Sequence, residues 1–201
     1  MNSKKNTYKS VKFLNKNSIN KKKCVLCNSV KLVKALDFGQ TPLANSYPIN
    51  INKKELEFKL ITVICNDCGH LQLKNLVNPK IMFRNYLYVS GTSGVLVKHF
   101  KNYAEKITKK FKLSSDTKIL DIACNDGTFL EFFKKKNIKH VVGIDPAKNL
   151  RKLNLKKKIS IITDFFTYKT SFQIKKKFNY FDIITANNVF AHNPNLQDFT
   201  A

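Results

Sequence analysis

Arginine is almost absent from this chain: Arg84 and Arg151 are the only two among 201 residues. Guanidinium forks are the usual means of reading bases and clamping phosphates, so their scarcity weighs against a nucleic-acid reader. Acidic residues are few as well. Thirteen Asp and Glu stand against 37 Lys and Arg, which leaves a formal charge of +24. Such an excess attracts polyanions non-specifically. It is nearly all lysine, spread along the chain amid abundant Asn and Ile, so composition accounts for it before any partner does. Long apolar runs are missing too. No stretch reaches the roughly 18 residues of a membrane span. The first 23 residues are basic and polar, without the apolar segment of a secretory signal. A cytoplasmic location is the resulting expectation, and in that reducing compartment paired cysteines read as metal ligands before disulfides.

What is present argues for a packed protein. The chain is 43% hydrophobic and holds 16 phenylalanines, and its length accommodates one medium domain plus a small one. Residues 1–23 form a Lys/Asn/Ser-rich leader expected to be largely disordered, with Val11, Phe13 and Leu14 as its docking candidates. Next come Cys24-Val-Leu-Cys27 and Cys65-Asn-Asp-Cys68. Each C-x-x-C places two thiolates on one turn, and two such knuckles complete a tetrahedral Zn²⁺ site. The alternative is four unmetallated thiols. His70 is a substitute ligand that a full Cys₄ set leaves unneeded. A closed Cys₄ site has no open position for substrate, which makes this zinc structural. Lys31–Phe38 and Glu57–Ile64 carry the β-branched and apolar residues of strands between the knuckles.

The stretch Lys118-Ile-Leu-Asp-Ile-Ala-Cys-Asn-Asp-Gly-Thr128 is where the larger domain begins. Ile119, Leu120 and Ile122 form a short buried strand, Asn-Asp-Gly supplies a sharp turn, and Phe129, Leu130, Phe132 and Phe133 have helical spacing. Free N–H groups at such a turn suit the polar part of a nucleotide-like ligand. A second strand, Val141-Val-Gly-Ile-Asp145, ends in a carboxylate 24 residues after Asp121, near the spacing at which an acid reaches a ribose. The dinucleotide fingerprint G-x-G-x-x-G is absent, because the turn carries Ala123, Asn125 and Gly127. That disfavours a pyrophosphate cofactor and favours a nucleoside without phosphates, S-adenosylmethionine. Asp121, Asn125, Asp126, Gly127 and Asp145 are therefore cofactor-binding candidates.

Strands expected near Lys118–Ile122, Val141–Ile144, Ile159–Thr163 and Phe181–Thr185 alternate with helical segments such as Phe129–Asn137, which implies a parallel sheet with ligand sites at its carboxyl edge. At the end of the third strand, Asp164 can accept from an adenine amino group, and Phe165 or Phe166 can stack on the base; core packing is the other use of these rings. An amphipathic helix is expected over Val95–Phe111, with His99 a surface or core residue. Cys124 reads as a small buried residue.

Asp121-Ile-Ala-Cys-Asn-Asp-Gly-Thr, Gly143-Ile-Asp-Pro, Thr163-Asp-Phe-Phe and Ala186-Asn-Asn-Val-Phe-Ala-His, in that order behind two Cys pairs, resemble the sugar C-methyltransferases that carry an N-terminal zinc-binding domain. The resemblance implies an incomplete Rossmann-like class I methyltransferase sheet preceded by a small zinc-binding β module, an α/β fold. It divides the chain into the leader at 1–23, a zinc-binding domain at 24–80, a linker and helix at 81–115, and the N-terminal half of a methyltransferase domain at 116–201. At the carboxyl edge of the fourth strand Asn187 and Asn188 can bind the amino-acid part of the cofactor, and the resemblance matches Tyr86, Tyr88 and His192 to residues near the chemistry. A packing role for the tyrosines and a structural one for the histidine remain open. The substrate implied is a nucleotide-linked keto-deoxysugar, with neither nucleic acid nor membrane as a partner and no indication of oligomeric state. Two rival readings use the charge: a basic zinc-ribbon nucleic-acid-binding protein and an RNA methyltransferase. Family members have seven strands, so a chain ending after the fourth is expected to be a truncated member without activity of its own.

Overall fold

The computed structural model describes residues 17–48, 50, 52 and 54–201, so the docking candidates Val11, Phe13 and Leu14 lie outside the described residues. The chain divides into two compact units, one made of Met1–Met82 with Asn193–Ala201 and the other of Phe83–His192.

In the first unit, β1 (Ser18–Asn20), β2 (Leu32–Pro42), β3 (Glu57–Cys65), β4 (Leu71–Leu73) and β5 (Asn75–Val77) follow one another, then α1 (Pro79–Phe83). β2, β3 and β4 form an antiparallel sheet in that order, and β1 pairs antiparallel with β5. β1 lies inside the stretch expected to be disordered. Its pairing of Ser18 with Val77 and Asn20 with Asn75 gives residues 18–20 the ladder that composition alone does not disclose. β2 also runs beyond the expected Phe38, because register shifts between Lys34/Leu36 and Asp37/Gln40 let it bend and keep pairing. Gly39, at φ +71°, takes the left-handed turn of the second shift.

The second unit holds α2 (Gly94–Lys110), β6 (Lys118–Ile122), α3 (Thr128–Lys134), β7 (His140–Ile144), α4 (Arg151–Lys156), β8 (Ser160–Ile162), α5 (Tyr168–Phe178) and β9 (Ile183–Thr185). A sixth helix, α6 (Leu196–Thr200), belongs to the first unit. The four strands lie in the order β8-β7-β6-β9, and every neighbouring pair is parallel. The fold is thus α/β. β6 and β7 occupy the middle of the sheet, and Ile119, Leu120, Val141 and Ile144 are buried, as central strands covered on both faces require. α2 and α3 cover the core: Phe100, Ala104 and Ile107 pack with Phe129, Leu130 and Phe133. The Phe129 ring stacks on Tyr103 at 5.3 Å and meets Phe100 and Phe133 at 5.1 Å each.

Two element ends differ from expectation for local reasons. α3 stops at Lys134 because Asn137 turns left-handed (φ 64°), and the Ile138 N–H returns to the Phe133 carbonyl. β9 begins only at Ile183, because the preceding Asp182 ties the chain to the sheet differently: its Oδ2 accepts the Lys118 N–H at 2.8 Å and its own N–H donates to the Lys118 carbonyl.

The turn after β6 is the least ordinary backbone of this unit. Ala123 (φ 59°), Asn125 (φ 53°) and Gly127 (φ 76°) are all left-handed, although only one of the three is glycine. A Cβ at Gly127 would sit 2.5 Å from Asn154 Oδ1 and 2.6 Å from Ile159 Cδ1. Asn154 is fully buried and holds its place by donating to the Asn125 and Leu150 carbonyls. Gly127→Ala is therefore expected to lower stability by about 2–4 kcal/mol, combining left-handed strain with overpacking. Ala123→Gly relieves strain and is expected to be neutral or stabilising. Thermal melting of the two variants checks the opposite signs.

Candidate functional site

The metal-ligand candidates converge. The sulfurs of Cys24, Cys27, Cys65 and Cys68 all lie within 4.8 Å of one another, with Cys24–Cys68 and Cys27–Cys65 both at 3.6 Å. All four are free thiols. Sulfurs on a tetrahedron with Zn–S bonds of about 2.3 Å stand roughly 3.8 Å apart, so the donor set fits the ion. The two knuckles are built alike. The fifth residue of each, Asn28 (φ 64°) or Gly69 (φ 72°), is left-handed and donates its N–H to the carbonyl of the first cysteine. The N–H of that cysteine goes in turn to the carbonyl of the next residue, Ser29 or His70. His70 thus contributes backbone to the knuckle. Gln72 of β4 braces the first knuckle, accepting from Val25 N at 2.8 Å and donating to the Lys23 carbonyl at 3.1 Å. Against desolvation, N–H groups of Asp67 and Cys68 bring the Cys65 thiol down to about 7. Cys68, despite an N–H from His70, is pushed up to about 12 by burial and by the neighbouring sulfurs. Four sulfurs this close ionise together only around a cation.

In the other unit the candidates gather at the carboxyl edge of the sheet. Asp121 is buried in β6 and accepts from Thr185 Oγ1 of β9 at 2.7 Å. Burial pushes its carboxyl up to about 7; the Asp145 charge adds to this, while the Thr185 hydroxyl and the Asn187 amide oppose it. Asp145, just past β7, accepts Asn125 N on Oδ2 at 2.9 Å and Ala147 N on Oδ1 at 2.8 Å. Burial raises its pKa as well. Each oxygen keeps a lone pair for a ligand hydroxyl. The Asn187 Nδ2 is buried and approaches the Asp121 carboxyl without a hydrogen bond of full geometry, so donor and acceptor stand side by side at this edge. Asn188 is left-handed (φ 52°) and exposed. Asp164 and Phe165 follow β8, with the Phe165 N–H on Asp164 Oδ1 at 2.9 Å.

The expectation of free N–H groups at the turn is corrected. The N–H groups of residues 123 to 128 all have partners inside the protein: the Ile144 carbonyl for Ala123 and Cys124, Asp145 for Asn125, Asn125 Oδ1 for Asp126, the Cys124 carbonyl for Gly127, and Asp126 Oδ1 for Thr128. The turn presents carboxylates to a ligand rather than amides. The side chains of Asn125 and Asp126 are engaged too. Asn125 Oδ1 accepts Ser90 N at 2.9 Å and its Nδ2 donates to the Tyr88 carbonyl at 3.1 Å. Asp126 is buried against Lys157 Nζ at 2.8 Å and Thr128 Oγ1 at 2.7 Å.

Asn125 thereby ties down the segment that carries the tyrosines, and two other residues do the same farther along the edge. Asn149 Oδ1 accepts Tyr86 N at 3.0 Å while its Nδ2 donates to the Tyr86 carbonyl at 2.8 Å, and the Arg84 carbonyl accepts Lys148 N. Gly91 comes so close to the turn that a Cβ there would lie 2.6 Å from Asp126 Oδ2. Tyr86 and Tyr88 meet edge to face at 6.4 Å. His192 is exposed in the 3-10 turn Phe190–His192 after β9, whereas the tyrosine segment is bonded beyond β6 and β7. Asn149, Asn154, Lys157 and Thr185 escaped the sequence reading. The first three sit in a lysine-rich stretch that looks solvated, and no periodicity marks a side chain whose partner is a distant carbonyl.

Residues 96–199, more than half of the chain, match the family described as "Methyltransferase domain", and residues 24–83 match the one described as "Putative zinc binding domain". The chain belongs to the methyltransferase domain family. It is 25% identical over 177 residues to "C-methyltransferase NovU" of Streptomyces niveus, an alignment that covers 87% of this chain and 42% of that protein. Among solved structures it is similar to the plantazolicin methyltransferase BpumL in complex with pentazolic desmethylPZN analog and SAH, at 21% identity and a TM-score of 0.38, over 51% of this chain and 38% of the other. The family implies S-adenosylmethionine as cofactor, and the four-cysteine cluster together with the domain match supports zinc. Among the described residues no helix is long and apolar enough to cross a membrane.

Two outcomes follow from this geometry. Purified protein is expected to hold one zinc per chain by elemental analysis, and Cys65→Ser to lose it, since the buried ligand closes the tetrahedron. For Asp121 the folded pKa lies above the unfolded one. Its contribution to stability is therefore greatest below pH 4 and falls away as pH rises to about 7, by on the order of 4 kcal/mol. Asp121→Asn is expected to flatten that part of the stability-versus-pH curve measured by urea unfolding.

Proposed function

We propose that this methyltransferase-domain chain serves a C-methyltransferase whose substrate is a nucleotide-linked keto-deoxysugar, with S-adenosylmethionine as methyl donor and a structural zinc. The reading is carried by the order of features: a closed Cys₄ module, then a nucleoside-type carboxylate edge without phosphate-binding amides, in a chain aligned along most of its length with a C-methyltransferase. The chain spans 42% of that relative's length, so the activity proposed is that of the whole protein. The scarcity of arginine supports a small-molecule acceptor over nucleic acid.

When bound, S-adenosylmethionine supplies an electrophilic methyl group. The chain's part is to hold and orient. Asp145 takes the ribose hydroxyls on its remaining lone pairs, and Asp164 with Phe165 receives adenine. Asp121 and Asn187, one an acceptor and one a donor, face the amino-acid end, while Asn188 lies beside them. The acceptor carbon becomes nucleophilic when the proton next to the keto group is removed. Tyr86, Tyr88 and His192 are the side chains of this chain assigned to that neighbourhood. Rate depends on bringing the carbon in line with the methyl, which is a matter of positioning.

Titration calorimetry with S-adenosylhomocysteine tests the cofactor half. Asp145→Ala is expected to weaken binding by about 1.5–3 kcal/mol, the worth of hydrogen bonds to a charged group. Equal affinity in a folded variant removes Asp145 from the site. For the acceptor half, carbon NMR of the product is expected to show a new C–CH₃ group on the sugar, and methylated RNA would overturn the assignment.

A further inference from the structure

The two arginines of this lysine-rich chain lie 67 positions apart in sequence, at 84 and 151, yet both reach the same residue. Arg84 Nη1 donates to the Thr163 carbonyl at 3.4 Å, and Arg151 Nη1 donates to Thr163 Oγ1 at 3.2 Å. Thr163 directly precedes Asp164 and Phe165. Arg84 goes further: Nη2 pairs with Asp164 Oδ1 at 2.9 Å, and the guanidinium lies over the Phe165 ring, 5.1 Å from its centre. One planar group thus touches the carbonyl, the carboxylate and the ring, which an ammonium cannot do at once. The pair is partly exposed, so it adds little to stability and its effect is on geometry.

That geometry leaves a defined remainder. Asp164 Oδ1 already accepts Arg84 Nη2 and the Phe165 N–H, which leaves Oδ2 as the open acceptor. The guanidinium covers one face of the half-buried Phe165 ring, so a base would stack on the opposite one. An acceptor-only oxygen beside an aromatic ring suits a flat base that carries an exocyclic amine, and repels one that carries an oxo group at the same place.

We propose that Arg84 is a positioning residue that sets base specificity: by holding Asp164 and Phe165 it makes the subsite select a 6-amino purine over a 6-oxo purine. This rests on the assignment of adenine to Asp164 and Phe165 made above. Arg151 anchors the same strand end through Thr163 Oγ1 and the Ile161 carbonyl.

The test is the ratio of affinities for S-adenosylhomocysteine and S-inosylhomocysteine, measured by calorimetry on the full chain. The unaltered protein is expected to prefer the adenosyl compound by at least about thirtyfold, as one charged hydrogen bond gained against a repulsion gives. Arg84→Met is expected to bring the ratio below about fivefold, and Arg84→Lys, which keeps the pair with Oδ1 but not the fork, to fall between. If Arg84→Met weakens both compounds equally and leaves the ratio intact, Arg84 is structural only and the proposal fails while the adenine assignment stands. If the unaltered protein binds the two compounds alike, the assignment of adenine to this subsite fails, and the proposal with it. Should Arg84→Met fold poorly, Arg84→Lys decides between these outcomes.

Discussion

The second unit depends on a turn held in a conformation that its own residues disfavour. Ala123 and Asn125 are left-handed without being glycine, at a cost of about 1–2 kcal/mol for an ordinary L-residue. What offsets the cost is a buried polar brace. Asn154 donates to the Asn125 carbonyl from α4, and Lys157, at the end of the same helix, donates to the Asp126 carbonyl, Asp126 Oδ2 and Thr128 Oγ1. Each neutral bond contributes about 1 kcal/mol and each charged one more. With the turn so fixed, the Asn125 side chain is free of local duties apart from Asp126 N and can tie down the segment at Tyr88 and Ser90.

Three buried carboxylates at this edge have three different environments. Asp126 has a lysine and is part of the scaffold. Asp145 has two backbone N–H donors and spare lone pairs. Asp121 is fully buried with one hydroxyl donor and a like-charged neighbour, and burial first, then the Asp145 charge, raise its pKa to about 7. A strongly basic protein thus keeps an acidic interior at the end of its sheet. Lysines on the outside do not compensate it, because a solvated charge is screened within about a Debye length.

The first unit solves the problem of size in another way. One row across its sheet, Lys34–Val63–Gln72, turns Val63 and Gln72 inward. The neighbouring row Val33–Ile64–Leu71 and the residues Leu36 and Leu73 lie on the other face, where these five apolar side chains are exposed. A sheet with so little buried apolar surface draws stability from elsewhere, and a cation among four thiolates is the available source.

The sequence by itself determined the elements whose signal is local. Lys118–Ile122 is a strand because Ile119, Leu120 and Ile122 are β-branched or apolar and lead to a turn, and it occupies those residues in the fold. Two C-x-x-C pairs announce a tetrahedral site because each pair's geometry is set within four residues. The acids Asp121, Asp145 and Asp164 are legible as strand-end residues for the same reason. Tertiary structure alone decided which side chains those acids and turns meet. No pattern in the chain tells that Asn154 braces Asn125, that Asn149 grips Tyr86, or that both arginines end on Thr163. Most of these bonds join a side chain to a backbone group tens of residues away, and a backbone N–H or carbonyl carries no residue identity for sequence to record; Arg151, on the Thr163 hydroxyl, is the exception. Only the folded sheet, by bringing the ends of β6, β7 and β8 side by side, gives them partners.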